Sequence, residues 1–226
     1  MAVEKVVVIG GTGDEGSGLA LRWAKAGLDV VIGSRDAGRA SETAASLSEQ
    51  IDGTISGLAN EEAAGAADVI VVTVPFSGQA MIYKSIAEHL RPDALVIDCT
   101  VPVAANVGGK VTHTLGVWEG SAAQQALSFL PKGTRMCAAF HSLAAVALND
   151  LEADLEGDVL VCGAVKNKGP VEELVQAIPN LRYVDAGPLE NARIVEPITA
   201  LLIGINHRYK TDRSGIRITG ISGGSV

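Results

Sequence analysis

The segment Gly10-Gly11-Thr12-Gly13-Asp14-Glu15-Gly16 carries glycines at G-x-G-x-x-G spacing, at Gly11, Gly13 and Gly16. That spacing suits phosphate chemistry when the loop leaves a strand and opens a helix. Gly11 would make the tight turn, Gly13 would let a pyrophosphate approach the backbone, and Gly16 would let helix and strand pack closely. The helix start adds unpaired N–H groups and the positive end of a dipole. Thr12 lies inside the loop, and Asp14 and Glu15 belong to it as well. Their carboxylates suit a first helical turn but would repel a pyrophosphate, so both side chains are expected to point to solvent. The plainer alternative is a glycine-rich turn without a ligand. The apolar run Lys5–Ile9 before the loop and the helical spacing from Glu15 to Ala26 after it favour the dinucleotide reading.

A second phosphate site is expected one strand along. An NAD-selective fold places Asp or Glu at the end of its second strand, on the ribose hydroxyls. Here the run Asp29–Ile32 ends in Gly33-Ser34-Arg35, Asp36 comes late, and Arg39 follows one helical turn on. A hydroxyl and guanidinium groups suit a phosphate dianion, so NADP is expected rather than NAD. The alternative makes Arg35 an ordinary surface residue.

In open α/β sheets the ligand lies beyond the carboxyl ends of the strands. Those ends read Thr73-Val74-Pro75-Phe76, Cys99-Thr100-Val101-Pro102 and Phe140-His141-Ser142. Val74, Pro75 and Phe76 are therefore cofactor-binding candidates. His141 is the candidate catalytic residue at the cleft rim, against the alternative of a structural histidine capping the next helix. His89, His113 and His207 read as surface residues. No histidines or cysteines stand at metal-ligand spacing, and there is no G-x-S-x-G elbow and no Walker loop.

The elements that must position these residues alternate. Strands are expected at Lys5–Ile9, Asp29–Ile32, Gly53–Gly57, Asp68–Val74, Ala94–Asp98, Thr134–Phe140, Asp158–Gly163 and Arg182–Asp185. Helices are expected at Glu15–Ala26, Ala37–Gln50, Glu61–Ala66 (with Asn60 as its cap), Ser77–Leu90, Ser121–Leu130, Ser142–Leu148, Val171–Ile178 and from about Glu190 to Asn206. Near-continuous apolar strands between helices imply a Rossmann-type, doubly wound parallel sheet covered on both faces. Residues 150–226 are too few for a good core of their own and must pack on residues 1–149 or on another subunit. The helix from Ile194 to Ile205 is apolar on nearly every face, which points to burial by a second subunit or between domains, and Pro197 should kink or restart it.

The chain has 226 residues, 47% of them hydrophobic and 4% aromatic, so Ala, Val, Ile and Leu must fill the core. Its 18 Lys and Arg against 26 Asp and Glu leave a net charge of −8, which argues against nucleic acid and anionic membrane as partners. Met1 to Lys5 are expected to lead straight into a strand, so no signal peptide is expected, and the longest apolar run is far short of a membrane span. Cys99, Cys137 and Cys162 read as buried thiols of a reducing cytoplasm.

With these residues in view, the chain resembles the coenzyme F420-dependent NADP oxidoreductases over nearly its whole length. The likeness rests on VVVIGGTGDEGSGLALRWAKAG, VVIGSR, VIVVTVPF and AAFHSLAA, and most specifically on DVLVCG followed by DAGPLENARIVEPITALL. It implies an NADP-binding domain at residues 1–149. A small C-terminal α/β domain at 150–226 would close a deazaflavin cleft and form homodimer contacts. It implies hydride transfer between NADP(H) and coenzyme F420, which needs two stacked rings rather than an acid–base pair. Matched by position, Thr12 and Gly13 hold phosphate, Ser34 and Arg35 the 2′-phosphate, and Pro75 and His141 lie beside the rings. Asn191, Arg193 and Glu196 fall in the C-terminal signature, and Arg208, Lys210, Arg213 and Arg217 are candidate partners for the acidic tail of F420. The match is poorest at residues 104–120 and after Gly220. The alternatives are an NADP-dependent reductase of a small imine or keto acid, with His141 as acid, and a non-catalytic NADP sensor.

Overall fold

The computed structural model describes residues 3–221. Among these, eight strands form one sheet: β1 (Lys5–Ile9), β2 (Asp29–Ser34), β3 (Ile55–Ala59), β4 (Val69–Val72), β5 (Leu95–Asp98), β6 (Arg135–Ala138), β7 (Gly157–Gly163) and β8 (Leu181–Asp185). Their order is β3-β2-β1-β4-β5-β6-β7-β8. All neighbours are parallel except β6 and β7, which meet antiparallel through Cys137–Gly163 and Ala138–Cys162. The strand order reverses between β1 and β4, and that switch point is where the glycine loop emerges.

The strands are apolar on both faces because both faces are covered. Val6 and Val8 join one buried cluster with Leu19 and Trp23 of α1 (Asp14–Lys25), Leu47 of α2 (Ala37–Ser48), and Leu148 and Leu174. Val7 and Ile9, on alternate positions, join the other cluster with Ala63 of α3 (Asn60–Ala64), Ile82 and Tyr83 of α4 (Phe76–Ile86) and Ala126 of α5 (Ala122–Ser128). Leu148 belongs to α6 (Ala145–Asn149) and Leu174 to α7 (Gly169–Gln176).

Several elements differ from their sequence expectation. Asn60 does not cap α3. The helix begins at Asn60 itself, Ala59 stands at the cap position, and no side chain bonds there. Strand β6 stops at Ala138, because Phe140 takes a left-handed backbone with φ of 70°. The apolar helix after residue 190 is split into α8 (Ala192–Val195) and α9 (Ile198–Tyr209) at Pro197, which has no N–H to give and ends the ladder. Residues Ser222–Val226, expected from sequence as a mobile tail, lie outside the described residues.

Strands β7 and β8 continue the sheet of the first half, and chain from near the end packs back on them. The Asp158 carboxylate receives two bonds from Arg182 and one from the Ile218 N–H, while the Asp158 N–H bonds Ile216 O. No helix among the described residues is long and apolar enough to cross a membrane. All three cysteines are buried and unbridged.

Candidate active site

The glycine loop is built at contact distance, which fixes its residue types. A Cβ at Gly11 would stand 2.6 Å from Ile32 and 2.9 Å from Val8 O. At Gly16 it would stand 2.5 Å from Thr73 Oγ1 and 2.8 Å from Gly10 O. Both glycines lie buried beneath the loop, so they shape the site without lining it. Gly13 precedes α1, and no side chain caps that helix, so its first-turn N–H groups are available to an anion.

Thr12, Gly13, Ser34, Arg35, Arg39, Val74 and Pro75 line one cleft of about 330 Å³. The sequence had named all seven. The cleft also takes in Asn60, Ser77 and Met81, which it had not. Arg35 and Arg39 are exposed at the mouth and carry no ion pair among the described residues, whereas Ser34 is buried at the end of β2. Phe76 opens α4 half-buried and lies outside this lining.

The two carboxylates of the loop part company. Asp14 is exposed, as expected. Glu15 is half-buried rather than turned to solvent. Burial, and then the charge of Asp98, push its carboxyl up to about 8. At neutral pH it is mostly protonated, so it presents little charge to repel a pyrophosphate.

His141 follows β6 at the carboxyl edge of the sheet, but it is not open at the rim: it is 4% exposed, and neither ring nitrogen has a hydrogen-bond partner among the described residues. Burial lowers its pKa to about 4, so the imidazole is neutral at physiological pH. Its backbone is held. Thr199 of α9 donates to His141 O at 2.6 Å, and the Phe140 ring meets Trp23 edge-on with centroids 5.6 Å apart. A bulky residue at positive φ is strained by about 1–3 kcal/mol, and such strain gathers at functional sites. These contacts hold Phe140 inward, so the residue after it is placed by the fold. The histidine does not cap α6, which begins four residues later at Ala145, with Ala144 at the cap position and no side-chain cap.

A buried acidic network lies behind the cleft, and sequence reading missed it. Asp98 ends β5 fully buried and accepts bonds from Tyr83 Oη at 2.7 Å and Thr100 Oγ1 at 2.9 Å. Burial raises its pKa to about 6, against the opposing pull of those bonds. Gln79 joins Asp98 to Ala122 O, and Glu196 accepts from the Ala122 and Ala123 N–H groups at the start of α5. Glu196 thus ties the α8–α9 turn to α5, and burial raises its pKa to about 8. Two lone acids in otherwise apolar runs, LVID and IVEPI, were the signal for this network. Of the four basic residues suggested for an acidic tail, Arg213 pairs with Asp150 and Asp212, and Arg217 with Glu156. Arg208 and Lys210 are exposed without an ion pair among the described residues.

Residues 5–102 match the family described as NADP oxidoreductase, coenzyme F420-dependent. An F420-dependent NADP reductase of Methanothermobacter thermautotrophicus is 44% identical over 224 residues, spanning 97% of this chain and 96% of the relative. The chain belongs to the F420-dependent NADP reductase family. A further family member, from Methanocaldococcus jannaschii, is 38% identical over 96% of this chain and 99% of its own length. Family membership agrees with the fold comparisons. A crystal structure of an Arthrobacter sp. FB24 protein described as a candidate F420-dependent NADP-reductase superposes with a TM-score of 0.77 at 20% identity, covering 97% of this chain and all of its own. Pyrroline carboxylate reductase of Plasmodium falciparum, solved with NADP bound, gives 0.59 at 16% identity, over 93% of this chain and 66% of its own. At such identities these two likenesses speak for the α/β Rossmann fold alone.

Proposed function

We propose that this chain transfers a hydride between NADP(H) and coenzyme F420. The observation that carries the reading is its identity of 38–44% with curated F420-dependent NADP reductases across nearly the whole chain. The cleft fits the nucleotide independently. Gly11 and Gly16 let the loop pack down on the strands beneath it, a helix start offers free N–H groups, and two arginines without an ion pair among the described residues stand at the cleft mouth, where a 2′-phosphate needs donors.

When bound, the two cofactors supply the redox chemistry: a hydride passes from the reduced nicotinamide to the central ring of the deazaflavin, or back. The chain's part is to bind and align. The loop Gly11 to Gly16 and the α1 N-terminus would hold the pyrophosphate, Gly11 and Gly16 by letting the loop pack tightly on its floor and Thr12, Gly13, Asp14 and Glu15 by their backbone positions. Ser34, Arg35 and Arg39 hold the 2′-phosphate. Val74 and Pro75 would form the wall beside the nicotinamide, with Phe76 behind it at the start of α4. His141, neutral and without a hydrogen-bond partner for its ring among the described residues, would donate a hydrogen bond to a ring carbonyl, a bond that would strengthen as the ring gains electron density. In this reading residues 1–149 bind NADP, and residues 150–226 close the deazaflavin side and carry the contacts of a homodimer in the cytoplasm. The dimer is supported by large apolar side chains left open on α8 and α9, with Ile194 64% and Leu201 62% exposed.

The test is optical. Purified protein mixed with NADPH and oxidised F420 should bleach the visible band of the deazaflavin, and neither alone should. Tight NADP binding without bleaching would leave a sensor or a reductase of another acceptor, and would overturn the proposal.

A further inference from the structure

Asn60 sits at the start of α3 and does no capping there. Its side chain is 2% exposed, and its Oδ1 has no hydrogen-bond partner among the described residues. A buried amide oxygen left unpaired is destabilising, and proteins keep such groups where a ligand completes them. The side chain borders the same cleft as Ser34, Arg35 and Arg39. It has room because residue 33 is glycine: a Cβ there would stand 2.9 Å from Oδ1. Strand register sets Ala59 opposite Ser34, so Asn60 lies one residue beyond the end of β2, one strand over. It is thus the near neighbour of the position that carries a ribose-binding carboxylate in NAD-selective folds.

The chemistry of a 2′-phosphorylated ribose explains why an amide would serve there. Such a ribose keeps one free hydroxyl, at the 3′ carbon, which needs an acceptor. A carboxylate could accept but would repel the phosphate dianion next door. Arg35 and Arg39 can only donate, and Ser34 Oγ already accepts from the Asp36 N–H. An amide oxygen accepts without adding charge. Resting on the NADP reading above, we propose that Asn60 accepts the ribose 3′-hydroxyl of the 2′-phosphoadenosine half of the nucleotide, so that the acceptor and the phosphate clamp come from different strands.

The proposal is tested with fragments, by calorimetry on the whole chain: 2′,5′-ADP, its 3′-deoxy analogue, and 5′-ADP. The wild type should prefer 2′,5′-ADP to the 3′-deoxy analogue by about five- to tenfold. Asn60→Ala should bind those two equally, a coupling that mere loss of packing would not produce. Asn60→Asp, of the same shape, should weaken 2′,5′-ADP about tenfold or more and change 5′-ADP less than threefold, because only the former carries the phosphate that a carboxylate repels. An Asn60→Ala variant that keeps the wild-type preference overturns the proposal, as does an Asn60→Asp variant that weakens both diphosphates equally. The second variant carries the test if the first does not fold. Failure of the wild type to bind 2′,5′-ADP at all would instead refute the NADP reading itself.

Discussion

Replacing Arg35 with Asp reverses charge at the cleft mouth without disturbing the core, because the side chain is exposed and makes no ion pair among the described residues. Its effect can be estimated in two parts. The guanidinium–phosphate hydrogen bond, formed at an exposed site, is worth about 1.5 kcal/mol, the low end for charged partners. A new carboxylate at roughly 6 Å from a phosphate of charge near −2 adds about 1–2 kcal/mol of repulsion at an effective dielectric of roughly 60–80. Arg39 remains and offsets some of this. The sum, about 2–4 kcal/mol, corresponds to roughly 30- to 900-fold weaker NADP binding. NAD lacks the phosphate, and the new carboxylate can accept from its free ribose hydroxyls, so NAD binding should hold steady or improve. Titration calorimetry of both nucleotides, wild type against variant, reads the ratio directly. Equal weakening of NADP and NAD, or an NADP change under threefold, would refute the placement of the 2′-phosphate at Ser34 and Arg35.

Further consequences can be checked in the same protein. His141→Ala should slow hydride transfer by about 10- to 100-fold, roughly 1.4–2.7 kcal/mol, while NADP affinity stays within twofold; stopped-flow rates per folded molecule that match wild type would remove His141 from the site. The lowered pKa of His141 also predicts a pH effect on stability, since the folded state binds fewer protons than the unfolded between about pH 4 and 6.5. That stability rises with pH across the window, and its loss between pH 7 and 4.5, on the order of 2 kcal/mol, should vanish in His141→Asn when urea midpoints are compared at the two pH values; equal losses would contradict the burial argument. Leu201→Glu places a charge at an exposed apolar position of α9, so light scattering should show a dimer in the wild type and a monomer in the variant, with unchanged melting of the monomer fold. A wild-type monomer would end the dimer reading.

The parts of the fold that depend on local pattern were legible. Continuous apolar runs marked the strands, and G-x-G-x-x-G between a strand and a helix marked the switch point. Seven cleft-lining residues followed from their position after strand ends. What escaped depended on contacts distant in sequence. Asn60 looked like a helix cap because asparagine before a helical run usually is one, and only the structure shows that its amide lies beside Gly33, where a Cβ would crowd it, on the border of the cleft. Glu15 looked exposed because a first-turn carboxylate usually is, yet burial beside Asp98 keeps it mostly protonated. The antiparallel pairing of β6 and β7 has no periodic signature, since both strands are buried on both faces and read as apolar runs in either direction. His141 was placed correctly at the sheet edge but too near the solvent, because a left-handed phenylalanine cannot be foreseen from its residue type.

The tie between Asp158 and the chain around Ile218 has a consequence for synthesis on the ribosome. The carboxylate of Asp158 is wholly buried in the finished protein, and one of its donors arrives 60 residues later. At ~5–20 residues per second that interval lasts roughly 3–12 s, during which β7 and β8 have been made but the Ile218 N–H has not. The early strands β1 to β5 can pair meanwhile, since their partners lie close behind them in the chain. Until Ile218 is made, the Asp158 carboxylate has Arg182 as its partner and leaves its remaining lone pairs to water, so the closing of that site is among the last steps of synthesis.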